Sequence, residues 1–402
     1  MKKLFVKLHL WLSLPFGIVF ALISFTGALL VYEDELMNVF KHDRFYVDEV
    51  GQEPLPLPEL YGKAVASVPD SIKISSVRVS GNEKETYRFS IERQKWASLY
   101  VDPYTGEVRD KVMPGELNFF NNTMRLHRWL MFPMKRGEFS WGKFIVGLTT
   151  IVSAVILILG IVIFFPKRLK WKYIKKKFQT TVRKGAYRFW HSFHIAWGAY
   201  SVIFLLVLCL TGLTWSFTWY RNAFYAAFGV PVQQQQQHHA PPPQNNQPQN
   251  ASPRAGQQQN ANRPEGNQKA ERENKTDPKQ QYVLWQTVLD NLNARNVEYK
   301  TVSFSNNSAR VAPPNAGYRV SDTYEFDAKT GEITDVKYHV DNVDRRSLIR
   351  KWITQLHFGT WAGQLSKLLT FIACLIGAAL PITGYYTYFK RTFFAKNTSN
   401  MP

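Results

Sequence analysis

The chain has 402 residues and a formal net charge of +20, enough length for two or three ordinary domains. Its apolar residues are gathered in four blocks rather than spread as a soluble core requires. The only two cysteines, Cys209 and Cys374, lie inside those blocks, which excludes disulfides in the regions between them and leaves two packing thiols.

Residues 10–32, 144–166, 195–220 and 368–389 each run for at least 22 positions without Asp, Glu, Lys or Arg. At a helical rise of 1.5 Å per residue, about 20 residues cross a hydrocarbon core of roughly 30 Å, so four transmembrane helices are expected. The first block follows Met1-Lys2-Lys3, as a signal peptide would. Its apolar run is longer than that of a cleaved leader and no Ala-x-Ala site follows it, so residues 1–32 are expected to form a cytoplasmic start and a retained first helix.

Residues 33–143 have the pattern of a small α+β module. "ELYGKAVASV" has helical spacing, "SIKISSVRVS" and "ETYRFSIERQ" alternate as strands do, and "LYVDPYTGEV" is a strand that ends in Asp102 and turns at Thr105-Gly106. Before the second block (144–166) stands "RLHRWL", which carries His127. An interfacial helix is needed to bring that histidine back to the membrane.

The loop 167–194 follows, with ten Lys or Arg and no acid between Lys167 and Arg188. By the positive-inside rule it is cytoplasmic, and Lys2, Lys3, Lys7, Lys390 and Arg391 then fall on the same side. The basic charge thus belongs to topology and anionic lipid, with no nucleic acid implied. Residues 33–143 and 221–367 are extracytoplasmic on this reading.

The third block (195–220) repeats the first. His9 to Gly27 and His194 to Gly212 span the same 18 positions, and Thr26 and Thr211 precede the two glycines. Region 221–367 repeats the α+β pattern with "YVLWQTVLDNL", "EYKTVSFSN" and "YEFDAKTGEI", in which Asp327 and Thr330-Gly331 match the first turn. Asp102 and Asp327 are metal candidates by type, but in such turns an aspartate caps its own backbone, and that reading is preferred. A Gln, Asn and Pro-rich insert at 232–281, with His238 and His239, lacks the apolar area to fold and reads as a disordered linker. "QLHFGTW", with His357, precedes the fourth helix (368–389), and a cytoplasmic tail (390–402) ends the chain.

Each unit of the repeat therefore supplies one histidine per membrane face: His9 and His194 on one, His127 and His357 on the other. Titratable groups at membrane spans are functional candidates by default. Two imidazoles per face are what a six-coordinate b-type haem needs, since the porphyrin fills four iron positions. A snorkelling polar cap explains any one of these histidines taken singly; the recurrence favours ligands for the set. His191, one turn before His194, is the alternate ligand, and Met124 and Met131 are lesser substitutes for His127. Gly17, Gly27, Gly198, Gly212, Gly377 and Gly384 allow close approach of a macrocycle or a helix. Trp129, Trp352 and Trp361 suit the membrane interface better than a haem shield. His42 and His339 have no partner in the repeat and read as surface residues.

"KLHLWLSLPFGIVFALISFTGALLVY", "LYVDPYTGEV", "LHRWLM" and "QLHFGTWAGQLSKLLTFIACLIGAALPITGYYTYFKR" resemble the PepSY-associated transmembrane proteins, the iron-regulated membrane proteins of bacteria. The resemblance covers nearly the whole chain apart from the insert. It implies an α-helical membrane protein with four transmembrane helices and two periplasmic PepSY-like modules. It also implies an inner-membrane location and, by its haem-containing ferrisiderophore reductases, electron transfer to ferric siderophore or another ferric chelate with release of Fe(II). The family's Leu-His patterns fall on His9, His127, His194 and His357, with haem b, two copies, as the implied cofactor. "WHSFHIAWG" departs from the family's usual Asp-Leu-His-Arg run. The electron donor, whether quinol, flavin or a reductase, is not specified. A non-enzymatic membrane regulator, or a siderophore-handling partner of a transporter, is the alternative. No Walker, nucleophile-elbow or HExxH motif offers a hydrolase or ATPase reading.

Overall fold

The computed structural model describes residues 2–92, 97–113, 119–133, 138–166, 171–230, 278–314, 320–339 and 345–394. Among these, the helices in chain order are α1 (Lys2–Val31), α2 (Glu33–Phe40), α3 (His42–Phe45), α4 (Leu57–Ala66), α5 (Phe119–Trp129) and α6 (Trp141–Phe164). They continue with α7 (Trp171–Lys177), α8 (Ala186–Ser216), α9 (Thr218–Ala227), α10 (Pro278–Ala294), α11 (Arg345–Phe358) and α12 (Gly363–Phe389). The last runs on into a π-helical turn, Lys390–Phe394.

Helices α1, α6, α8 and α12 are the four that are long and apolar enough to cross a membrane, one from each expected block. They begin earlier than the charge-free runs, so His9 and His194 lie within α1 and α8 and not at their entrances. The difference has a simple cause: an absence of charge marks the hydrocarbon core, whereas Lys and Arg extend a helix beyond it and reach back to the interface. Ile18, Ile203 and Leu365 stand at least 66% exposed on the spans, an apolar surface that lipid solvates.

The spans form a closed four-helix ring, α1 against α6, α6 against α8, α8 against α12 and α12 against α1, which sets α1 and α8 at opposite corners. Missing side chains permit the close crossings. A Cβ on Gly17 would lie 2.5 Å from the Tyr385 hydroxyl, which donates to the Leu14 carbonyl at 2.7 Å. Lys367 meets both oxygens of Glu35, at 2.6 and 2.8 Å, and ties α12 to α2. At the far end of the bundle Lys2 donates to the Phe165 carbonyl at 2.7 Å, which fixes the start of α1 beside the end of α6.

The strands are β1 (Ile74–Ser80), β2 (Tyr87–Ile91), β3 (Ser98–Val101), β4 (Val108–Val112), β5 (Thr301–Ser305), β6 (Ser308–Ala312), β7 (Asp322–Phe326) and β8 (Ile333–Lys337). All eight join one antiparallel sheet in the order β4-β3-β2-β1-β5-β6-β7-β8. The two regions thus meet along a β1–β5 seam, where Val77 faces Phe304 and Val79 faces Val302. These four side chains are at most 1% exposed. Helices α4 and α10 pack against each other, with Tyr61 stacked on Tyr282 at 4.1 Å, and one core runs through both halves. Strand β6, a short alternating run after a tight Asn306-Asn307 turn, was not among the expected strands.

The two Asp-to-Gly turns have the same geometry. The Asp102 carboxylate accepts from the Tyr104 and Thr105 amides at 2.9 and 3.2 Å, and that of Asp327 from the Lys329 and Thr330 amides at 2.8 and 2.9 Å. Gly106 and Gly331 take the left-handed φ values of 73° and 72° that close these turns without a Cβ penalty. Both aspartates therefore cap their own backbone. The insert's disorder is an expectation on residues outside those described, as are His238 and His239. Its last four positions, 278–281, belong instead to α10, which Pro278 opens at the helix start where its missing N–H goes unused.

Candidate functional site

Two pairs of imidazoles lie in the bundle, one toward the sheet and one toward the basic loop. His9 on α1 and His194 on α8 face each other from opposite corners with ring centres 6.4 Å apart and planes at 90°. His127 on α5 and His357 on α11 lie 6.4 Å apart with planes at 58°. The sequence required a short helix to bring His127 back from its distance to the second span; α5 is that helix, packed on α1 and α6.

A common backbone device holds each ring. The Nδ1 of His9 contacts the Ile156 carbonyl at 3.1 Å, that of His127 the Ile23 carbonyl at 2.9 Å, and that of His194 the Leu380 carbonyl at 3.0 Å. His357 hydrogen-bonds the backbone of Leu208. A carbonyl only accepts, so Nδ1 carries a proton in His9, His127 and His194, and a neutral ring in that tautomer leaves its Nε2 lone pair free. No hydrogen bond among the described residues uses any of these Nε2 atoms.

Four residues beyond each accepting carbonyl stands a glycine: Gly160, Gly27, Gly384 and Gly212. In a helix the side chain at that position lies on the same face as the carbonyl, so its absence bares the oxygen to an incoming ring. A Cβ there would come within 3.6 Å of His9 Cε1, 3.2 Å of His127, 3.5 Å of His194 and 3.0 Å of His357.

In three of the four spans a threonine precedes the glycine. The Thr26 hydroxyl donates to the Leu22 carbonyl at 2.8 Å and, with its lone pair, accepts from His127 Nδ1 at 3.1 Å. Thr211 does the same for His357 at 2.9 Å and Thr383 for His194 at 3.0 Å. The Thr-Gly pairs that marked the repeat therefore do not serve the histidine of their own span. Thr26-Gly27 cradles His127, and Thr211-Gly212 cradles His357.

Burial lowers the imidazole of His127 to about 4 and that of His357 to about 3, so both are neutral bases near pH 7. His191 points away from the pair, exposed and stacked on Tyr187 at 6.1 Å. Met131 is exposed in a turn after α5. His42 stacks on Tyr46, and His339 is exposed with its Nδ1 2.6 Å from Asp322. Trp352 and Trp361 are about half exposed; the indole beside the site is Trp215, edge-on to His357 at 5.0 Å.

Sequence reasoning had passed over Trp215, Gly160 and the cradling role of Thr383-Gly384. The last repeats the Thr-Gly dipeptide visible at 26–27 and 211–212 and was findable by it; Gly160 lacks the threonine. Cys209 and Cys374 are buried and unpaired by any disulfide. Among the described residues no group of three or more His, Cys, Asp or Glu converges as a metal cage. The histidines meet only in pairs.

A family model described as "PepSY-associated TM region" matches residues 6–391. The match takes in all four spans and both halves of the sheet. No curated protein matches the chain.

Proposed function

The chain belongs to the PepSY-associated TM family, and from that premise we propose that it is a di-haem electron-transfer protein of the bacterial inner membrane, acting on ferric siderophore or another ferric chelate in the periplasm. On this reading the chain is one helix–module–helix unit used twice. Both termini and the basic loop are cytoplasmic, and the sheet is a pair of periplasmic PepSY-like modules.

The observation that carries the reading is the pair geometry. The rings of each pair stand with centres 6.4 Å apart, close enough for their nitrogens to share one metal ion. In His9, His127 and His194 a backbone carbonyl holds Nδ1, as it does in histidines that ligate a metal through the other nitrogen. The donor set suits haem b, whose iron takes two ligands besides those of its macrocycle: each pair would offer two imidazole nitrogens. The residues that would hold the two groups are His9 with His194, and His127 with His357.

Haem when bound supplies a one-electron carrier at each face of the membrane. The protein's own part is to hold four neutral imidazoles in fixed tautomers, keep their Nε2 lone pairs free and exclude water with the surrounding spans. No protein nucleophile or general base is required. An electron delivered to a ferric chelate weakens its hold, because hard oxygen ligands bind Fe(II) less tightly than Fe(III), and the released Fe(II) is available for uptake. The donor on the cytoplasmic side or in the bilayer is a quinol, a flavin or a reductase.

The test is a spectrum of the full-length protein purified in detergent from haem-replete cells. A Soret band that shifts on dithionite, with two haems per chain, is expected. A colourless preparation would sink the proposal.

A further inference from the structure

Three of the four histidines have a threonine hydroxyl at Nδ1 and one does not. His127 has the Ile23 carbonyl at 2.9 Å and the Thr26 hydroxyl at 3.1 Å. His194 has the Leu380 carbonyl and the Thr383 hydroxyl, both at 3.0 Å. His357 has the Thr211 hydroxyl at 2.9 Å besides the Leu208 backbone. His9 has, among the described residues, the Ile156 carbonyl alone, at 3.1 Å. Where the other three spans place threonine before the glycine, α6 places Leu159 before Gly160.

We propose that the hydroxyls of Thr26, Thr211 and Thr383 are positioning groups that lower the reduction potential of the iron site each one serves, and that Leu159 marks the ligand where this effect is left out. The proposal rests on the haem reading above. An acceptor on Nδ1–H draws the proton outward, makes the ring a stronger base at Nε2 and so favours Fe(III) over Fe(II) at the ligated metal. The sheet-side pair has such a hydroxyl on each ring. The pair toward the basic loop has one for its two rings.

Two features argue that the hydroxyls act on the rings and not only on their own helices. Each is already oriented by donating to a carbonyl one turn back, at 2.8 Å for Thr26, 2.6 Å for Thr211 and 2.9 Å for Thr383, so its lone pair faces the imidazole without a rotamer search. Each is also nearly shut off from solvent, at 3% to 4% exposure, so water cannot substitute as acceptor.

The experiment is a spectroelectrochemical titration of the detergent-purified full-length protein with both haems present. His357→Ala and His9→Ala preparations assign each potential to its face. Thr26→Val, which keeps the shape and removes the hydroxyl, is expected to raise the sheet-side potential and leave the other in place. Thr26→Ser is expected to restore it. Leu159→Thr is expected to lower the potential of the pair near the basic loop, a gain that simple damage does not mimic. The inference is overturned if Thr26→Val moves neither potential, if Thr26→Ser shifts as far as the valine, or if Leu159→Thr leaves its site unchanged. Two bound haems with unmoved potentials overturn this inference alone, whereas a preparation with no haem removes the functional reading beneath it.

Discussion

His127 rests its ring on Gly27, with Nδ1 2.9 Å from the Ile23 carbonyl, and His357 repeats the contact on Gly212 in a different span. Neither histidine belongs to a membrane-spanning helix. Each comes from a short helix that precedes one and docks on a neighbour's Thr-Gly notch.

Replacement of His357 by alanine is expected to remove about half of the bound haem, read by pyridine haemochrome against protein concentration, and to spare the His9–His194 site. The same change at His191, which faces away from the pair, is expected to leave haem content as it is. Equal loss from both would count against the pairing.

Gly212→Val fills the notch that His357 occupies, where a Cβ already comes within 3.0 Å of Cε1. Forced overpacking of this kind costs about 1–3 kcal/mol. Reduced haem at the sheet-side site and a lower unfolding temperature are expected together. Substitution at Gly62, whose Cβ position meets nothing within 4 Å, serves as the comparison for glycine loss as such.

The β1–β5 seam predicts that the two halves of the sheet unfold as one. Phe304 is fully buried opposite Val77, and its truncation to alanine is expected to cost about 3–5 kcal/mol. Because Tyr282 and Tyr61 stack in the same core, chemical denaturation followed by tryptophan fluorescence and by proteolysis of residues 46–112 is expected to show one coincident transition. Separate transitions would show that the halves fold independently.

Backbone amides of Thr330 and Lys329 hold the Asp327 carboxyl below its ordinary value of 3.8. A depressed native value means that the ionised carboxylate favours the folded turn. That contribution is complete above the ordinary value and is lost as the pH falls below it, through the native one. Hydrogen exchange at the Thr330 amide is expected to lose protection in that acidic range, and Asp327→Asn is expected to abolish the pH dependence.

If the basic loop and both termini are cytoplasmic, a C-terminal fluorescent protein will fold and glow, while alkaline phosphatase fused there will be inactive. Phosphatase inserted after residue 50 is expected to be active. The reverse pattern would invert the proposed orientation.

The spans were legible because a charge-free run is a direct record of the solvent around it. The hairpins were legible because Asp102 and Asp327 act on backbone amides two and three residues away, and local geometry needs no partner. The histidine pairs were legible only as a recurrence. His127 looked remote from the membrane, and the bond that places it, to Ile23, joins segments with no sequence relation.

What the sequence alone determined is therefore the part of this protein governed by solvent and by short-range backbone chemistry: four membrane helices, two capped turns, the basic loop and the recurrence of the histidines. Tertiary structure decided the rest. It merged the two regions into one sheet at Val77 and Phe304, because pairing β1 with β5 satisfies both edges and buries Val77, Val79, Val302 and Phe304 in one core. It set His194 against its partner and left His191 exposed on Tyr187, because the neighbouring span packs over α8 at His194, where Thr383 meets its ring, and His191 lies one turn nearer the start of the helix. It also set each Thr-Gly notch against a histidine from another segment, since a bared helix carbonyl is filled by whichever donor the packing brings to it.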